Sequence, residues 1–128
     1  MSTATIIAAG SGGFLGAVAR LYLIGFVNRH LPHTLPFGTM MVNIGGSFLL
    51  GVVFGLFYLS EGLPQQVKTF IATGFLGALT TYSTFAMESF FLLHGGSWFL
   101  LLVNIAMNVF GTIVAAAGGY LLITKVFV

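Results

Sequence analysis

Cysteine and charge are what this 128-residue chain has least of. It contains no cysteine and no aspartate, and its charged side chains are limited to Arg20, Arg29, Lys68, Lys125, Glu61 and Glu88. Because there is no thiol, disulfides, zinc–thiolate sites, iron–sulfur clusters and thiol catalysis are excluded. The few basic residues are scattered, so they do not provide the clustered Lys/Arg face that nucleic-acid binding requires.

Apolar residues make up most of the chain. They account for 58% of the residues, against 5% that are charged, and the mean hydropathy is +1.09. A soluble domain typically has about 45–50% apolar and about 25% charged residues. The composition therefore predicts an integral membrane protein.

Four apolar stretches are each long enough to cross a hydrocarbon core of roughly 30 Å. They cover residues 3–27, 37–59, 65–93 and 98–124, and are called spans one to four. No basic residue precedes the first stretch, which favours a span over a signal peptide. The pattern predicts one all-α domain over residues 1–128 with both termini on one side of the membrane. The opposite side, with the connections 28–36 and 94–97, is called the turn side.

Orientation is poorly specified by the basic residues. Lys68 and Lys125 flank spans on the side of the termini, whereas Arg29 lies on the turn side. The positive-inside rule therefore has almost no bias to act on. This balance suggests the hypothesis that the chain inserts both ways up and that the two products pair as an antiparallel homodimer; insertion in a single orientation is the alternative.

Glycines four residues apart predict close packing between helices. Gly12 and Gly16 in span one, and Gly51 and Gly55 in span two, are small-xxx-small pairs that allow two helix backbones to approach. We interpret them as packing positions.

Polar side chains inside the spans are informative, because a charge near the bilayer centre costs about 2.5–3.5 kcal/mol. Arg20 lies deep in span one, and Asn43 lies at a similar depth in span two, after Thr39. Glu88 approaches the same side from span three. Apart from a role in a polar site, Arg20 has two other interpretations. It can be read as an anchor that extends its charged end to the membrane interface, or as the ion-pair partner of Glu88.

A polar stripe runs along span four. Asn104, Asn108 and Thr112 stand at i, i+4 and i+8, which places them on one helix face. Together with Arg20 and Asn43 they offer many N–H and O–H donors, whereas a cation path is expected to show acidic rings. The pattern indicates an anion pathway; hydrogen bonding that merely joins the helices is the alternative.

The middle of span three predicts a break in the helix. Two glycines precede four hydroxylated residues in the stretch Gly74-Phe75-Leu76-Gly77-Ala78-Leu79-Thr80-Thr81-Tyr82-Ser83-Thr84-Phe85. Glycine loosens a helix, and Ser and Thr compete for its backbone hydrogen bonds. Unwound backbone at this depth survives only when it is buried in protein or lines a cavity. Tyr82 and Phe85 either present their positive ring edges to an anion or simply pack.

At these residues the sequence resembles the small bacterial fluoride channels called Fluc or CrcB. The resemblance rests on the span-three stretch and on two shorter motifs, Gly16-Ala17-Val18-Ala19-Arg20 and Gly38-Thr39-Met40-Met41-Val42-Asn43. It implies a fluoride-selective channel of the bacterial inner membrane that exports fluoride passively. It also implies an antiparallel, dual-topology homodimer with two pores and a structural sodium ion at its centre.

The resemblance also implies residue roles. The backbone carbonyls of Gly77 and Thr80 would hold the sodium ion, and the anion pathway would comprise Arg20, Thr39, Asn43, Tyr82, Ser83, Thr84, Phe85, Asn104, Asn108 and Thr112. One departure is Tyr82, where the family usually has Phe. Fluoride itself follows from the resemblance alone.

Three other classes of function fit the sequence less well. A small multidrug transporter needs an acidic residue deep in a span, and span one carries only Arg20. A non-transporting assembly subunit would leave the break and the polar stripe without a purpose. An enzyme is not expected, because Asp and Cys are missing and the three histidines, His30, His33 and His94, lie in turns. His30 and His33 are close enough in sequence to touch a metal, but Pro32 between them disfavours a helix, and we interpret both as residues solvated at the membrane interface.

Overall fold

A computed structural model describes residues 1–127 as a bundle of helices, with no strand in that range. Four helices are long and apolar enough to span a membrane: Thr3–His30, Phe37–Leu59, Gln65–His94 and Trp98–Val126. They begin at the predicted residues, and three of them end one to three residues later than predicted. The prediction of an all-α protein with four spans is confirmed. Residue 128 lies outside the described range.

The ends of the helices follow local signals. Ser2 accepts a hydrogen bond from the Thr5 N–H at 3.2 Å and so caps span one. Pro36 and Pro64 directly precede spans two and three. After span three, the chain turns at Gly95 and Gly96, and Gly96 has a φ of 75°, which glycine adopts without steric cost.

Span three is interrupted near its middle. It begins as an α-helix, Gln65–Lys68, continues as a π-helix, Thr69–Leu76, and returns to α over Gly77–Leu79. Thr80 and Thr81 then have extended ψ angles of 157° and 114°. An α-helix resumes over Tyr82–His94. The break therefore lies at Thr80 and Thr81, inside the stretch predicted from the glycines and hydroxyls.

The π-helical segments were not predicted. Besides Thr69–Leu76 there is a second one in span four, Met107–Gly111. Such segments are rare and frequently occur at functional sites. The first is separated from the break by the short helix Gly77–Leu79, and the second contains Asn108 of the polar stripe.

Glycines bring the backbones of two helix pairs into contact. A Cβ atom on Gly12 or Gly16 would collide with the carbonyl oxygens of Phe70 or Phe75, so span one lies directly against the first part of span three. In the same way, Gly51 in span two leaves no room for a Cβ beside the Ala116 carbonyl of span four. The packing role predicted for these glycines is confirmed.

The burial pattern is that of a membrane protein. Large apolar side chains such as Phe14, Leu21 and Phe110 are exposed on the outside of the bundle. The two most deeply buried large side chains are instead polar: Asn104 is 0% exposed and Thr39 is 1% exposed. Buried polar groups need hydrogen-bond partners, and these partners define the candidate site.

Candidate functional site

The break in span three diverts backbone donors away from the carbonyls they would reach in a continuous helix. There, the N–H of Thr81 would donate to Gly77 and that of Thr84 to Thr80. Instead, the Thr81 N–H donates to Asn43 Oδ1 at 2.7 Å, and the Thr84 N–H donates to Thr81 Oγ1 at 3.3 Å. The Gly77 and Thr80 carbonyls thereby lose their helical donors.

Asn43 of span two binds the carbonyl of Thr81 as well as its N–H. Its Nδ2 group donates to the Thr81 carbonyl at 3.0 Å and to Asn108 Oδ1 at 2.8 Å. The Asn43 side chain is only 7% exposed, so these bonds form away from water. One amide side chain thus connects the break to span four.

Arg20 reaches the break from span one. Its NH1 group donates to the Thr80 carbonyl at 3.2 Å, and its side chain is half-buried. Arg20 and Asn43 therefore bind adjacent residues of the break, as expected from their similar depths. No ion pair between Arg20 and Glu88 is found within residues 1–127, so the structure does not contain that alternative.

The polar stripe of span four is a hydrogen-bonded chain. Asn108 Nδ2 donates to Asn104 Oδ1 at 3.0 Å, and Asn104 Nδ2 donates to the Ser89 hydroxyl at 3.0 Å. One turn further along, the Thr112 hydroxyl donates to the Asn108 carbonyl at 2.8 Å. Through Asn43, this chain continues without interruption from the break to the second part of span three.

A cavity lies where these groups converge. Its volume is about 190 Å³, which is room for several water molecules. It is lined by Asn43, Ser47, Thr80, Thr81, Tyr82, Phe85, Asn108 and Thr112. Six of these eight residues are Asn, Ser or Thr, and the other two, Tyr82 and Phe85, are aromatic.

The two aromatic residues differ in exposure. Phe85 is 6% exposed, whereas Tyr82 is 78% exposed on the surface of the single chain. Their ring centroids are 5.4 Å apart and the planes are inclined by 70°, an edge-to-face arrangement. The edge of one ring, which carries partial positive charge, thus faces the other ring beside the cavity.

Thr39 and Glu88 form a second polar contact nearer the turn side. The Thr39 hydroxyl donates to Glu88 Oε1 at 2.8 Å. Within the described residues, the buried Oε2 atom of Glu88 has no hydrogen-bond partner. Glu88 also borders a turn-side cavity of about 260 Å³, which His33 and Asn28 help to line. This carboxyl group therefore lies between the inner polar network and the opening on the turn side.

The structure brings together most of the predicted pathway residues. The shared hydrogen-bond network or the central cavity includes Arg20, Asn43, Tyr82, Phe85, Asn104, Asn108 and Thr112. Thr84 hydrogen-bonds to Thr81, whose hydroxyl caps the helix after the break. Ser83 is exposed and outside the cavity wall, while Thr39 contacts Glu88. The functional roles of all these residues stay predictions.

Three residues of the site were missed at the level of sequence. Thr81 had been identified only as part of the break, although both its backbone groups bind Asn43. Ser47 lies one turn after Asn43, and Ser89 lies one turn after Phe85. A search for hydroxyls at i+4 from each predicted pathway residue finds both of them.

The groups available for a cation at the break are backbone oxygens. No cluster of three or more His, Asp or Glu side chains that could hold a metal occurs within residues 1–127. The Gly77 and Thr80 carbonyls, released from their helical donors, are of the kind that coordinates sodium in broken transmembrane helices. The donor set therefore fits a monovalent alkali cation.

The sequence of the chain is similar to those of known proteins. Residues 7–120 match the family described as "CrcB-like protein, Camphor Resistance (CrcB)". The chain is 52% identical over 123 residues to a protein of Sulfurimonas denitrificans named fluoride-specific ion channel FluC, covering 96% of this chain and 95% of that one. Proteins with the same name from Campylobacter lari and Nautilia profundicola are 44% and 43% identical, over 92% and 91% of the chain and 96% and 91% of their own lengths.

Proposed function

The chain belongs to the CrcB family of membrane proteins, and from this premise we propose that it is a fluoride-selective channel that exports fluoride passively across the bacterial inner membrane. The identity of 52% to a fluoride-specific ion channel over 96% of the chain carries the proposal. A channel needs no covalent chemistry, which agrees with the expectation that the chain is not an enzyme.

The central cavity supports an anion path. Fluoride is small and strongly hydrated, so a pore must replace its water with other donors. The amides of Asn43 and Asn108 and the hydroxyls of Ser47 and Thr112 border the cavity, and Phe85 contributes a ring. The two amides and the Thr112 hydroxyl donate to protein groups in this structure, and fluoride would take the place of those acceptors. We assign the path to these groups, with Asn104 extending it along span four.

The path continues to the turn side past Thr39 and Glu88. These residues border the region between the inner network and the cavity that His33 lines. Within residues 1–127, Arg20 is the positively charged side chain that hydrogen-bonds to the break, and it favours anions over cations there.

The single chain exposes polar groups at mid-membrane. Tyr82 and Ser83 are exposed, as is Gly77. In lipid, unsatisfied polar groups cost several kcal/mol each, which favours covering them with protein. We propose that a second, inverted copy covers this surface, so that the antiparallel homodimer has two pores and a sodium ion between the Gly77 and Thr80 carbonyls of both subunits. That ion would supply positive charge to these oxygens.

The decisive experiment is fluoride efflux from liposomes. Purified protein is reconstituted in vesicles loaded with potassium fluoride, and a fluoride electrode follows release after valinomycin addition. We expect rapid release, and much slower release from vesicles loaded with potassium chloride, followed with a chloride electrode. A folded dimer that releases no fluoride overturns the channel proposal.

The same vesicles distinguish the transporter alternative. A multidrug exchanger moves organic cations against protons, so it would acidify or alkalinise the lumen when such a cation is added. We expect no proton movement on addition of a quaternary ammonium compound. A channel releases fluoride only when valinomycin lets potassium leave with it to balance the charge. Equally fast fluoride release without valinomycin would therefore also argue against a channel.

Dual topology can be tested with one introduced thiol, because the chain has no native cysteine. Replacing the exposed Ser2 by cysteine places this thiol at the N-terminus. In intact cells, a membrane-impermeant maleimide should label about half of the protein, and permeabilisation should expose the rest. Complete labelling, or none, before permeabilisation rules out the antiparallel arrangement.

A further inference from the structure

We propose that Arg20 is a tethered cation for the break: its guanidinium binds the Thr80 carbonyl and holds the unwound backbone in place within each subunit, before any sodium ion or partner is present. The part of this inference that concerns sodium rests on the proposed function. The part that concerns the break does not, because it follows from contacts within one chain.

The position of Arg20 is set by the glycine contact one turn earlier. Gly16 packs against the backbone of Phe75, where a Cβ atom would have no room, and it also lies close to Ala78. Arg20 follows Gly16 by four residues and therefore projects from the same face of span one. This geometry directs the side chain to the end of the Gly77–Leu79 helix, where Thr80 begins the break.

The Thr80 carbonyl needs a donor because the break removes its own. The Thr84 N–H that would reach it in a continuous helix donates to Thr81 Oγ1 instead. Arg20 NH1 replaces that donor at 3.2 Å. A hydrogen bond from a charged donor is about twice as strong as a neutral one, so this replacement stabilises the extended conformation.

The same oxygen can still face a cation. A carbonyl oxygen has two lone pairs, and the guanidinium uses one of them. A sodium ion on the second lone pair would then share the oxygen with Arg20, and the two positive charges would repel each other. The guanidinium and the sodium ion are therefore partly interchangeable, and the ion should stabilise the break more when Arg20 is absent.

The test is hydrogen–deuterium exchange of the amides of residues 80–84, measured by mass spectrometry on the purified protein. In sodium-free choline chloride, Arg20→Met should speed this exchange about tenfold, because a hydrogen bond from a charged group is lost. Sodium chloride should then restore more protection in Arg20→Met than it adds in the wild type. Arg20→Lys, which keeps the charge, should exchange at a rate between the two.

The matched control is Arg29→Met, which removes the same charge from the exposed end of span one. It should leave exchange at residues 80–84 unchanged. The proposal is overturned if the amides of residues 80–84 exchange in Arg20→Met at the wild-type rate. It is also overturned if Arg29→Met speeds their exchange as much as Arg20→Met does. If neither protein responds to sodium, the sodium site is wrong, whereas the choline measurement still decides the role of Arg20. If Arg20→Met does not fold, wild-type exchange in a folded Arg20→Gln overturns the proposal, and acceleration supports it.

Discussion

Asn43 and Thr81 form a reciprocal pair of hydrogen bonds: the Thr81 N–H donates to Asn43 Oδ1 at 2.7 Å, and Asn43 Nδ2 donates to the Thr81 carbonyl at 3.0 Å. One side-chain amide thus satisfies both backbone groups of a residue that has left the helix. Because a buried backbone group without a partner is costly, this pair allows the chain to unwind inside the membrane.

Asn43→Asp should disable the pathway. An aspartate can still accept from the Thr81 N–H, but when ionised it cannot donate to the Thr81 carbonyl or to Asn108. It also places a negative charge beside the cavity. We expect fluoride efflux from liposomes to fall at least about tenfold and the protein to lose about 1–3 kcal/mol of stability. The control is Gln66→Glu, which also replaces an amide by a carboxylate but on an exposed residue. Wild-type efflux in Asn43→Asp would remove Asn43 from the pathway.

Phe85→Ile should abolish or strongly slow fluoride efflux without dissociating the dimer. Phe85 is 6% exposed and lines the cavity, and isoleucine has no ring edge to present to an anion. Phe90→Ile changes an exposed ring on the same helix, so it should conduct like the wild type. Size-exclusion chromatography checks the assembly. Unchanged efflux in Phe85→Ile would show that the ring only packs.

Thr39→Val should destabilise the protein. Valine has nearly the same shape as threonine, but without the hydroxyl Glu88 Oε1 loses its donor at 2.8 Å. Leaving a buried polar group without a partner costs about 1–3 kcal/mol. Thermal unfolding in detergent should therefore shift to lower temperature, and Thr39→Ser, which keeps the hydroxyl, should recover most of the loss. Equal melting temperatures for Thr39→Val and the wild type contradict this assignment.

Two neighbouring glycines of span four should respond differently to alanine. A Cβ on Gly119 would collide with the Phe48 carbonyl of span two, whereas a Cβ on Gly118 meets nothing within 4 Å. Gly119→Ala should therefore lose about 1–3 kcal/mol through overpacking. Gly118→Ala should be neutral or slightly stabilising, because alanine is the better helix former. Unfolding of both variants in increasing amounts of denaturing detergent gives the comparison; equal stability of both would mean that spans two and four are not in backbone contact.

The sequence is sufficient to predict the helices and the location of the break. Long apolar stretches bounded by Pro and Gly define the spans, and the glycines and hydroxyls of residues 74–85 weaken the helix locally. Both signals are local in sequence, so they can be recognised without knowing how the helices pack. The π-helical segment Thr69–Leu76 has no comparable signal, because its residues are mostly apolar and a change in helical period therefore alters no visible pattern.

The partners of the buried polar residues could not be predicted in the same way. Counting residues gives the depth of Arg20, Asn43 and Glu88 in the membrane, but not the direction in which each helix face points. The sequence therefore allows Glu88 as a partner of Arg20, whereas in the structure Glu88 binds Thr39 and Arg20 binds the Thr80 carbonyl. The rotation of each helix about its axis depends on the glycine contacts between different spans. These are tertiary contacts, and the sequence of a single span does not specify its partner.

The pairing of the helices has a consequence for biosynthesis. Span one makes its backbone contact through Gly16 with Phe75 of span three, and span two makes its contact through Gly51 with Ala116 of span four. The two helices of each pair are not consecutive in the chain. Span one can therefore make its contact only after span three has been synthesised, and span two only after span four has been synthesised. Both of these backbone contacts therefore form late, after the later span of each pair has been synthesised.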